Sequence, residues 1–383
     1  MKKIAVVTGT RAEYGLLKPL ITALSKSKEF RLQLLVTGMH LMPEFGNTYK
    51  QIEQDGFKID AKIADGLSGD SALAISSAVG RATIGFAKTY DRLKPDLIIV
   101  LGDRSELFSA VICAIIANIP VAHIHGGETT EGAYDEFIRH AITKMSHLHF
   151  ASCEVYRNRI VQMGEHPSTV YNVGAIGIDS IKNLKLLSRE EFEKSINYKL
   201  NQLNVLITFH PVTLENATAE AQFQELLRAL ETLQNVTLIF TKPNADKGGK
   251  IIIRMIDDYV CKNPEKAIAF ASLGQLRYLS ALKYVDLVVG NSSSGILEAP
   301  LFNKPTVNIG DRQKGRLMPE SVINCKVCKS DIVTAISKAI SLEFKARIEQ
   351  QSNPYGNGTA TIQIMNVLRK YNIENTKKSF YDF

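Results

Sequence analysis

The stretch VVGNSSSGILE, which runs from Val288 to Glu298, joins a β-branched apolar run to a turn of small residues and the start of a helix. Glycine lets the backbone approach a ligand closely, and the first N–H groups of a helix have no partner within it. Together with three serine hydroxyls, these donors predict an anion site suited to phosphates, although a serine N-cap beside a glycine turn is the simpler alternative. Glu298, in the first turn of the helix, fits either a carboxylate that holds a ribose diol or one that stabilises the helix dipole.

The alternation of strand and helix continues through most of the chain. Helical patterns at 133–146 and 219–233 lie between short runs that are apolar throughout, as parallel strands covered on both faces are. This rhythm predicts an α/β fold with doubly wound parallel sheets. The predicted strands are residues 4–7, 32–36, 97–101, 121–125, 148–151, 205–209, 236–241, 267–270, 287–290 and 306–309.

The length of 383 residues predicts two domains rather than one. The rhythm pauses at residues 176–204, where a charged stretch precedes a new strand. We therefore expect an N-terminal Rossmann-like domain over residues 1–180, joined by a C-terminal helix over 366–383, and a second Rossmann-like domain over 181–365. Because ligands of open α/β sheets bind beyond the carboxyl ends of the strands, the chemistry is expected in the loops there, in a cleft between the two domains.

The composition narrows the classes of partner. A net charge of +7 suits an anionic partner, but Lys and Arg are scattered and no nucleic-acid-binding module is recognisable, so a phosphorylated metabolite is expected rather than nucleic acid. No segment approaches the roughly 18 consecutive apolar residues of a membrane helix, so no membrane is expected. Five cysteines without a secretory signal predict reduced thiols in a cytoplasm. Cys325 and Cys328 form one C-x-x-C without the further ligands that zinc needs.

Three loops place ionisable groups directly after predicted strands. Asp103 and Arg104 could form a structural salt bridge, but a position on the cleft favours a catalytic use. Arg11 begins the helix after the first strand, where it could contact a phosphate or carboxylate. The surrounding TGTRAEYG lacks the G-x-G-x-x-G spacing, so a nicotinamide dinucleotide is not expected. His210 follows the first strand of the second domain and is either structural or turned toward the cleft.

The densest group of ionisable side chains follows the strand at 121–125. Two glycines there clear space for a ligand, and His125, Glu128 and Asp135 crowd beyond them. Carboxyl crowding and imidazole give groups that titrate near neutrality, as general acid–base chemistry requires. His123 and His125 lie two residues apart on one strand face, which also resembles a metal pair, but no complementary Asp/His set follows, so no metal is expected.

Taken together, these motifs resemble the UDP-N-acetylglucosamine 2-epimerase family, and within it the hydrolysing branch of bacterial sialic acid and capsule synthesis. The resemblance runs in the family's order from about residue 3 to about residue 358. Each motif alone is weak evidence for the family, but the occurrence of all of them in series is specific to it. The matching stretches are TGTRAEYG (8–15), GDR (102–104), HGGE (125–128), DEFIRHAITK (135–144), HPVT (210–213), GNSSSG (290–295) and GDRQKGR (310–316).

The resemblance implies a GT-B-type fold, with two Rossmann-like domains and UDP lying mainly on the second. Asp103 and Asp135 match family positions that carry acid–base catalysis. Many members have a glutamate where this chain has His125, so His125 itself, Glu128 or Glu131 would take that proton transfer. The implied substrate-binding residues are Ser292 and Ser293 for the diphosphate, with Gly295 in the same turn, Glu298 for the ribose, His210 and Arg312 for the nucleotide, and Arg11 and Arg104 along the sugar–phosphate path.

The implied activity converts UDP-N-acetylglucosamine and water to N-acetylmannosamine and UDP through a 2-acetamidoglucal, for sialic acid in a surface polysaccharide. No cofactor or metal is implied, and a homo-oligomer is. Close alternatives are a hydrolysing 2-epimerase of UDP-2,4-diacetamido-2,4,6-trideoxyglucose for legionaminic acid, a non-hydrolysing epimerase, and a GT-B glycosyltransferase, which would need an acceptor. A nucleotide-sugar-binding module without turnover is the alternative from another class.

Overall fold

The contacts within the chain divide it into two units. Residues 1–183 with 354–383 form unit 1, and residues 184–353 form unit 2. The computed structural model describes residues 1–67, 71–129, 134–182, 184–211, 219–243, 249–373 and 376–382.

Unit 1 is built on a parallel sheet. Its strands are β1 (Lys2–Thr8), β2 (Phe30–Thr37), β3 (Ala61–Ile63), β4 (Leu97–Leu101), β5 (Val121–Ile124), β6 (Leu148–Ala151) and β7 (Val170–Asn172). They lie in the order β3-β2-β1-β4-β5-β6-β7, and Val6 of β1 is paired with Leu34 on one side and Ile99 on the other. Strand order reverses between β1 and β4, so the loops after these two strands flank the place where such sheets bind ligands.

Helices cover both faces of this sheet. They are α1 (Arg11–Lys26), α2 (Tyr49–Gln54), α3 (Ala72–Leu93), α4 (Ser105–Ile116), α5 (Asp135–Met145), α6 (Glu154–Gln162) and α7 (Gly177–Lys182). Alternate residues of β1 serve the two sides, because Ile4 and Val6 join one apolar cluster while Ala5 and Val7 join another. This burial on both faces explains why the strand is apolar throughout.

Unit 2 repeats the same plan. Its strands are β8 (Leu203–Thr208), β9 (Val236–Thr241), β10 (Ala267–Phe270), β11 (Leu287–Gly290), β12 (Thr306–Ile309) and β13 (Val322–Cys325), in the parallel order β10-β9-β8-β11-β12-β13. The reversal of strand order therefore lies between β8 and β11. Its helices are α8 (Arg189–Ile196), α9 (Ala219–Leu230), α10 (Gly249–Lys262), α11 (Gly274–Tyr284), α12 (Ser294–Leu297), α13 (Lys329–Ile340) and α14 (Leu342–Glu349).

The C-terminal segment belongs to unit 1, where it adds helix α15 (Ala360–Lys370). Ile364 and Leu368 of α15 are buried in one of the apolar clusters of unit 1. Asp179 caps this helix by accepting the N–H of Ala360 at 3.1 Å. The contacts of this segment with unit 1 begin before the helix, where the Tyr355 carbonyl accepts the Ala175 N–H at 2.8 Å.

The prediction of doubly wound α/β sheets is confirmed, and each of the ten predicted strands is present within two residues of its predicted bounds. β3, β7 and β13 were not predicted. The helix expected at 133–146 is observed as α5, with residue 133 outside the described part of the chain, and the helix expected at 219–233 ends three residues earlier. Across the described ranges, no helix is long and apolar enough to cross a membrane.

Candidate active site

The end of β11 approaches β8 so closely that only glycine fits. Gly290 has a φ of 140°, and a Cβ at this position would lie 1.9 Å from the Thr208 carbonyl oxygen. A side chain here would therefore push the two strands apart. Because the two strands lie so close together at Gly290, the serine turn after β11 starts directly beside the loop after β8.

Asn291 ties these two loops together. Its buried side chain accepts the His210 N–H at 2.7 Å and donates to the His210 carbonyl at 2.8 Å. Its own carbonyl accepts from Arg312 Nη1 and from Gln313 Nε2, each at 2.9 Å. Two residues predicted to bind the nucleotide, His210 and Arg312, are thus held by one asparagine.

The serine turn supplies hydroxyl groups, but the helix that follows it is short. Ser292 and Ser293 are half-buried. Helix α12 beyond them is only four residues long, so its dipole would contribute little to anion binding. Ser294 donates to Glu298 Oε2 at 2.7 Å and also hydrogen-bonds the Tyr278 phenol. Gly295 packs closely on β12, where a Cβ would lie 2.5 Å from Thr306 Cγ2.

Burial raises the pKa of the Glu298 carboxyl, and the Ser294 hydrogen bond opposes this rise. Burial also raises the pKa of the Tyr278 phenol, and the Glu298 charge adds to the effect. A half-buried carboxylate can accept hydrogen bonds from a diol, which is the ribose-binding role predicted for Glu298.

Positive charge gathers at the carboxyl ends of β12 and β13. A pocket of about 620 Å³ there is lined by Lys314, Arg316 and Lys326, together with Asp311. Burial, and then the Arg316 charge, lower the pKa of the neighbouring Arg312 guanidinium. Guanidinium and ammonium groups around a cavity favour an anion with several oxygens, such as a diphosphate.

In unit 1, Arg139 of α5 brings together two of the predicted catalytic carboxyls. It forms an ion pair with Asp103, and its Nη1 lies 3.8 Å from Glu128 Oε2. The same Nη1 donates to the His125 carbonyl at 3.1 Å. Asp103 and Glu128 follow different strands, so this buried arginine brings the two loops together. No motif in the sequence predicts this role for Arg139.

His125 occupies an unusual backbone conformation and has partners on both ring nitrogens. Its φ is 64°, a left-handed value that is uncommon outside glycine. The Ile176 N–H donates to Nε2 at 3.3 Å, so Nε2 is an acceptor and the ring proton is on Nδ1, which lies 3.4 Å from Glu128 Oε1. Ser152 donates to the same carboxylate oxygen at 2.6 Å. His125 and Glu128 therefore form a coupled pair.

His123 supports the Asp103 loop. It is fully buried, its Nε2 donates to the Gly102 carbonyl at 2.7 Å, and its Nδ1 faces Thr143 Oγ1 at 3.2 Å. Burial lowers the pKa of this ring to about 3, so it is neutral. Gly126 lies against it, since a Cβ there would be 2.9 Å from Nδ1. Within the described ranges, no group of three or more His, Cys, Asp or Glu side chains is arranged to hold a metal ion.

The Asp103 and Asp135 carboxyls are both harder to ionise than usual. Burial raises the pKa of Asp103; the Arg139 charge opposes this rise, and the Asp135 and Glu128 charges add to it. Burial also raises the pKa of Asp135, against the charges of Arg104 and Arg139. Groups with such shifts can both give and take protons closer to neutral pH.

A further pair of acids lies beside the β1 loop. The Glu13 carboxylate accepts the Gly9 N–H at 2.7 Å and completes a capping box with Thr10, and burial raises its pKa to about 8. Arg104 donates to the buried Glu106 at 2.6 Å. The T-x-x-E spacing predicts the capping box but not the burial of Glu13. Arg11, at the start of α1, is exposed.

Two predictions fall on parts of the chain that are not described. Glu131, an alternative to His125 for the proton transfer, lies outside the described residues. So do Val212 and Thr213 of the HPVT motif. The structure otherwise brings Asp103, His125 and Glu128 together in unit 1 and His210, Arg312 and the serine turn together in unit 2.

A family model and two named relatives match most of this chain. A family model described as UDP-N-acetylglucosamine 2-epimerase matches residues 22–369. The "GDP/UDP-N,N'-diacetylbacillosamine 2-epimerase (hydrolyzing)" of Campylobacter jejuni subsp. jejuni serotype O:2 is 43% identical over 344 residues, which is 90% of this chain and 89% of that protein. "Polysialic acid biosynthesis protein P7" of Escherichia coli is 40% identical over 384 residues, with coverage of 100% and 97%.

A solved structure agrees in fold. The UDP-GlcNAc 2-epimerase of Neisseria meningitidis, bound to UDP-GlcNAc, superposes with a TM-score of 0.81 at 20% identity, covering 97% of this chain and 100% of that one. The predicted GT-B-type fold with two Rossmann-like domains is thereby confirmed.

Proposed function

We propose that this chain, which belongs to the UDP-N-acetylglucosamine 2-epimerase family, releases UDP from a UDP-linked 2-acetamido sugar and inverts the sugar at C2. The family membership predicted from the sequence motifs is confirmed by the match over residues 22–369 and by both relatives. The chain is accordingly a member of a hydrolysing UDP-sugar 2-epimerase family.

One observation carries the proposal: Arg139 gathers Asp103, Glu128 and the backbone of His125 beside the reversal of strand order in unit 1. The C2 proton of a hexosamine is weakly acidic, so its removal needs a well-placed base and simultaneous departure of the leaving group. Carboxyls with raised pKa and an imidazole are suited to this exchange.

The proposed reaction has two stages. A base removes the C2 proton, its electron pair forms the C1–C2 double bond, and the C1–O bond breaks so that UDP leaves with that bonding pair. Water then adds its oxygen to C1 of the glycal while C2 receives a proton on the opposite face. The product is a free sugar of mannosamine configuration. Since the two proton transfers occur on opposite faces of the ring, two separate acid–base groups are required.

We assign these groups as follows. Asp103 and Asp135 are the acid–base carboxyls, because burial raises the pKa of both. The coupled pair of His125 and Glu128 takes the place of the glutamate that many members carry, since the His125 Nδ1–H faces Glu128 at 3.4 Å. Sharing the proton between two groups lets the pair act without His125 giving up its bond to Ile176.

The UDP group is assigned to unit 2. Ser292 and Ser293, in the turn that contains Gly295, would donate to the diphosphate, and Glu298 would hold the ribose. The Asn291 contacts that fix His210 and Arg312 support their role at the nucleotide. Positive charge from Arg312 and from the cationic pocket would stabilise UDP as it leaves. Arg11 and Arg104 remain the predicted contacts along the sugar–phosphate path.

The sequence predicts UDP-N-acetylglucosamine as substrate, with N-acetylmannosamine entering sialic acid synthesis. The Escherichia coli relative, named for polysialic acid biosynthesis, supports that prediction. The Campylobacter relative, named for diacetylbacillosamine, supports the alternative with a second acetamido group at C4 and a methyl group at C5. Cytoplasmic location and a homo-oligomer remain predictions.

The test is turnover in heavy water. Purified protein incubated with each UDP-sugar in buffer alone should release UDP and free sugar, with deuterium at C2 of the sugar. Asp103→Asn should abolish release while UDP still binds. The control Asp91→Asn, at an exposed aspartate of α3, should turn over like the wild type. Product without deuterium would exclude elimination, and a requirement for an acceptor would identify a glycosyltransferase instead.

A further inference from the structure

We infer that Tyr355 is a positioning residue for the proposed proton transfer: its carbonyl fixes the segment that donates to His125 Nε2, and thereby keeps the His125 proton on Nδ1, facing Glu128. The inference rests on the proposed function, because it adds a residue to the acid–base pair assigned there. Tyr355 is the second residue of the segment that returns to unit 1 after Asn353, and it is 2% exposed.

The His125 ring depends on other segments for its orientation. A left-handed φ of 64° persists in a residue other than glycine only where the surroundings hold it. The His125 N–H donates to the Phe150 carbonyl at 2.9 Å, and the His125 carbonyl accepts from Arg139 at 3.1 Å. These bonds hold the main chain, whereas the Ile176 N–H holds the ring by donating to Nε2 at 3.3 Å. The partner of one ring nitrogen decides which nitrogen carries the proton.

The donor to this ring lies in a segment that Tyr355 holds. Ala175, the residue before Ile176, donates its N–H to the Tyr355 carbonyl at 2.8 Å. Gly174 approaches the same carbonyl so closely that a Cβ there would lie 2.8 Å from the oxygen. Ala175 and Ile176 are both buried, and a close-packed interior transmits such a displacement. A shift of the Tyr355 carbonyl would therefore move the Ile176 N–H.

The Tyr355 ring anchors that carbonyl. It packs at a tilt against the Tyr156 ring, with the centroids 6.4 Å apart and the phenol oxygens 3.4 Å apart. Tyr156 belongs to α6, and a Cβ on Gly127 would lie 2.6 Å from the Tyr156 carbonyl oxygen. Burial raises the pKa of the Tyr355 phenol, and the charges of Tyr156 and Glu128 add to the rise. The ring is therefore anchored within electrostatic reach of Glu128, beside the turn that carries it.

The contact at Nε2 decides whether His125 can share its proton with Glu128. With Nε2 occupied by the Ile176 N–H, the proton lies on Nδ1, which is 3.4 Å from Glu128 Oε1. Without that donor the proton can move to Nε2, and Nδ1 then has no proton to share with the carboxylate. The proposed reaction would lose a proton donor while every group assigned to UDP stayed in place.

The experiment compares two glycine-to-alanine variants that carry the same backbone strain. Gly174 has a φ of 85° and Gly56, in the loop before β3, has a φ of 86°. A Cβ at Gly174 would press on the Tyr355 carbonyl, whereas a Cβ at Gly56 would have no atom within 4 Å. NMR with isotope-labelled histidine reads the tautomer of His125, assigned with His125→Gln, at a pH where the ring carries one proton. The wild type and Gly56→Ala should carry it on Nδ1, and Gly174→Ala should carry it partly or wholly on Nε2.

The same proteins are assayed for UDP release and for UDP binding. Gly174→Ala should lower kcat at least about tenfold, because a positioned general acid or base contributes about 10²–10⁴-fold to a rate. Gly56→Ala should keep the wild-type kcat. Titration calorimetry should give the wild-type UDP affinity in both variants, because UDP is assigned to unit 2. A general loss of structure would not change the tautomer and leave UDP affinity intact.

Substitutions at Tyr355 repeat the test, so that the inference does not depend on one variant folding. Tyr355→Phe keeps the ring that anchors the carbonyl and should keep the wild-type tautomer and kcat, whereas Tyr355→Leu should reproduce the result of Gly174→Ala. Loss of the wild-type tautomer in Tyr355→Phe would assign the role to the phenol and overturn the inference.

The remaining outcomes separate the inference from the proposed function. A wild-type His125 tautomer in both Gly174→Ala and Tyr355→Leu, or a changed tautomer with unchanged kcat, would overturn the inference, and UDP release by the wild type would leave the proposed function standing. Release of UDP by the wild type from neither UDP-N-acetylglucosamine nor its diacetamido relative would refute the proposed function itself. The tautomers would then still show whether Tyr355 positions His125.

Discussion

Replacement of Asn291 by alanine should damage UDP binding and unit 2 together. Asn291 is 1% exposed, and its side chain makes two hydrogen bonds to the main chain of His210. Alanine would leave the His210 N–H and carbonyl without these partners. The loop after β8 would then lose its attachment to the loop after β11, at the place where the nucleotide is proposed to bind.

The expected magnitude follows from those two bonds. A buried polar group left unsatisfied costs about 1–3 kcal/mol, so the loss for two groups is about 2–6 kcal/mol in the free energy of unfolding of unit 2. UDP affinity should fall at least about tenfold, because the Asn291 side chain holds the main chain of His210 at the proposed nucleotide site. A tenfold change corresponds to about 1.4 kcal/mol of binding free energy.

Asn204→Ala is the matched control. Asn204 is 4% exposed at the other end of β8, and it makes the same pair of bonds to the main chain of Asn201, at 2.9 and 3.1 Å. Calorimetric unfolding should show comparable destabilisation in both variants, whereas titration calorimetry with UDP should show weakened binding only for Asn291→Ala. Wild-type UDP affinity in Asn291→Ala, or an equal loss in Asn204→Ala, would refute the reasoning.

Two further predictions concern the backbone and the acid–base cluster. Gly290→Ala should unfold unit 2 or abolish UDP binding, because its Cβ would lie 1.9 Å from the Thr208 carbonyl oxygen. In the control Gly15→Ala, the new Cβ has no atom within 4 Å, so the melting temperature should be unchanged or higher. Equal melting temperatures and UDP affinities in the two variants would contradict this prediction. Arg139→Gln removes a charge that lowers the pKa of Asp103, so that pKa should rise and, with Asp103 as the base, the acid limb of the kcat/KM profile should move to higher pH. An unmoved acid limb would exclude Asp103 as the base.

The strands could be predicted because most of them are short apolar runs in a chain that otherwise alternates with helices. The strands that were missed lack this signal. β3 is three residues long with Lys62 exposed at its centre, and β13 is only partly buried along its length. Both lie at sheet edges, where one side of the strand has no neighbouring strand and burial no longer dictates the sequence.

The loops were harder to predict than the strands. The motifs placed Asp103, His125 and Glu128 at strand ends, but no pattern indicates that Arg139, 36 residues after Asp103, joins them. The left-handed conformation of His125 likewise depends on contacts from other segments, such as the Ile176 N–H. His123 has the spacing of a metal ligand, and only its burial and its bond to Gly102 identify it as support for a loop.

The two units share one strand order but carry different chemistry at its reversal, and the proposed reaction needs this difference. Proton transfer at carbon needs carboxyls with raised pKa values, and in unit 1 burial raises the pKa of both Asp103 and Asp135, with the charge of Asp135 adding to the rise at Asp103. A departing diphosphate needs donors and positive charge, and ionised carboxylates beside it would oppose its departure. In unit 2 the turn itself carries amide and hydroxyl groups. Burial raises the pKa of Glu298, the carboxyl nearest to the turn in sequence, and the hydrogen bond from Ser294 opposes this rise. On the proposed assignment, different residues after equivalent strands would give one sheet a base and the other an anion site, without any change of fold.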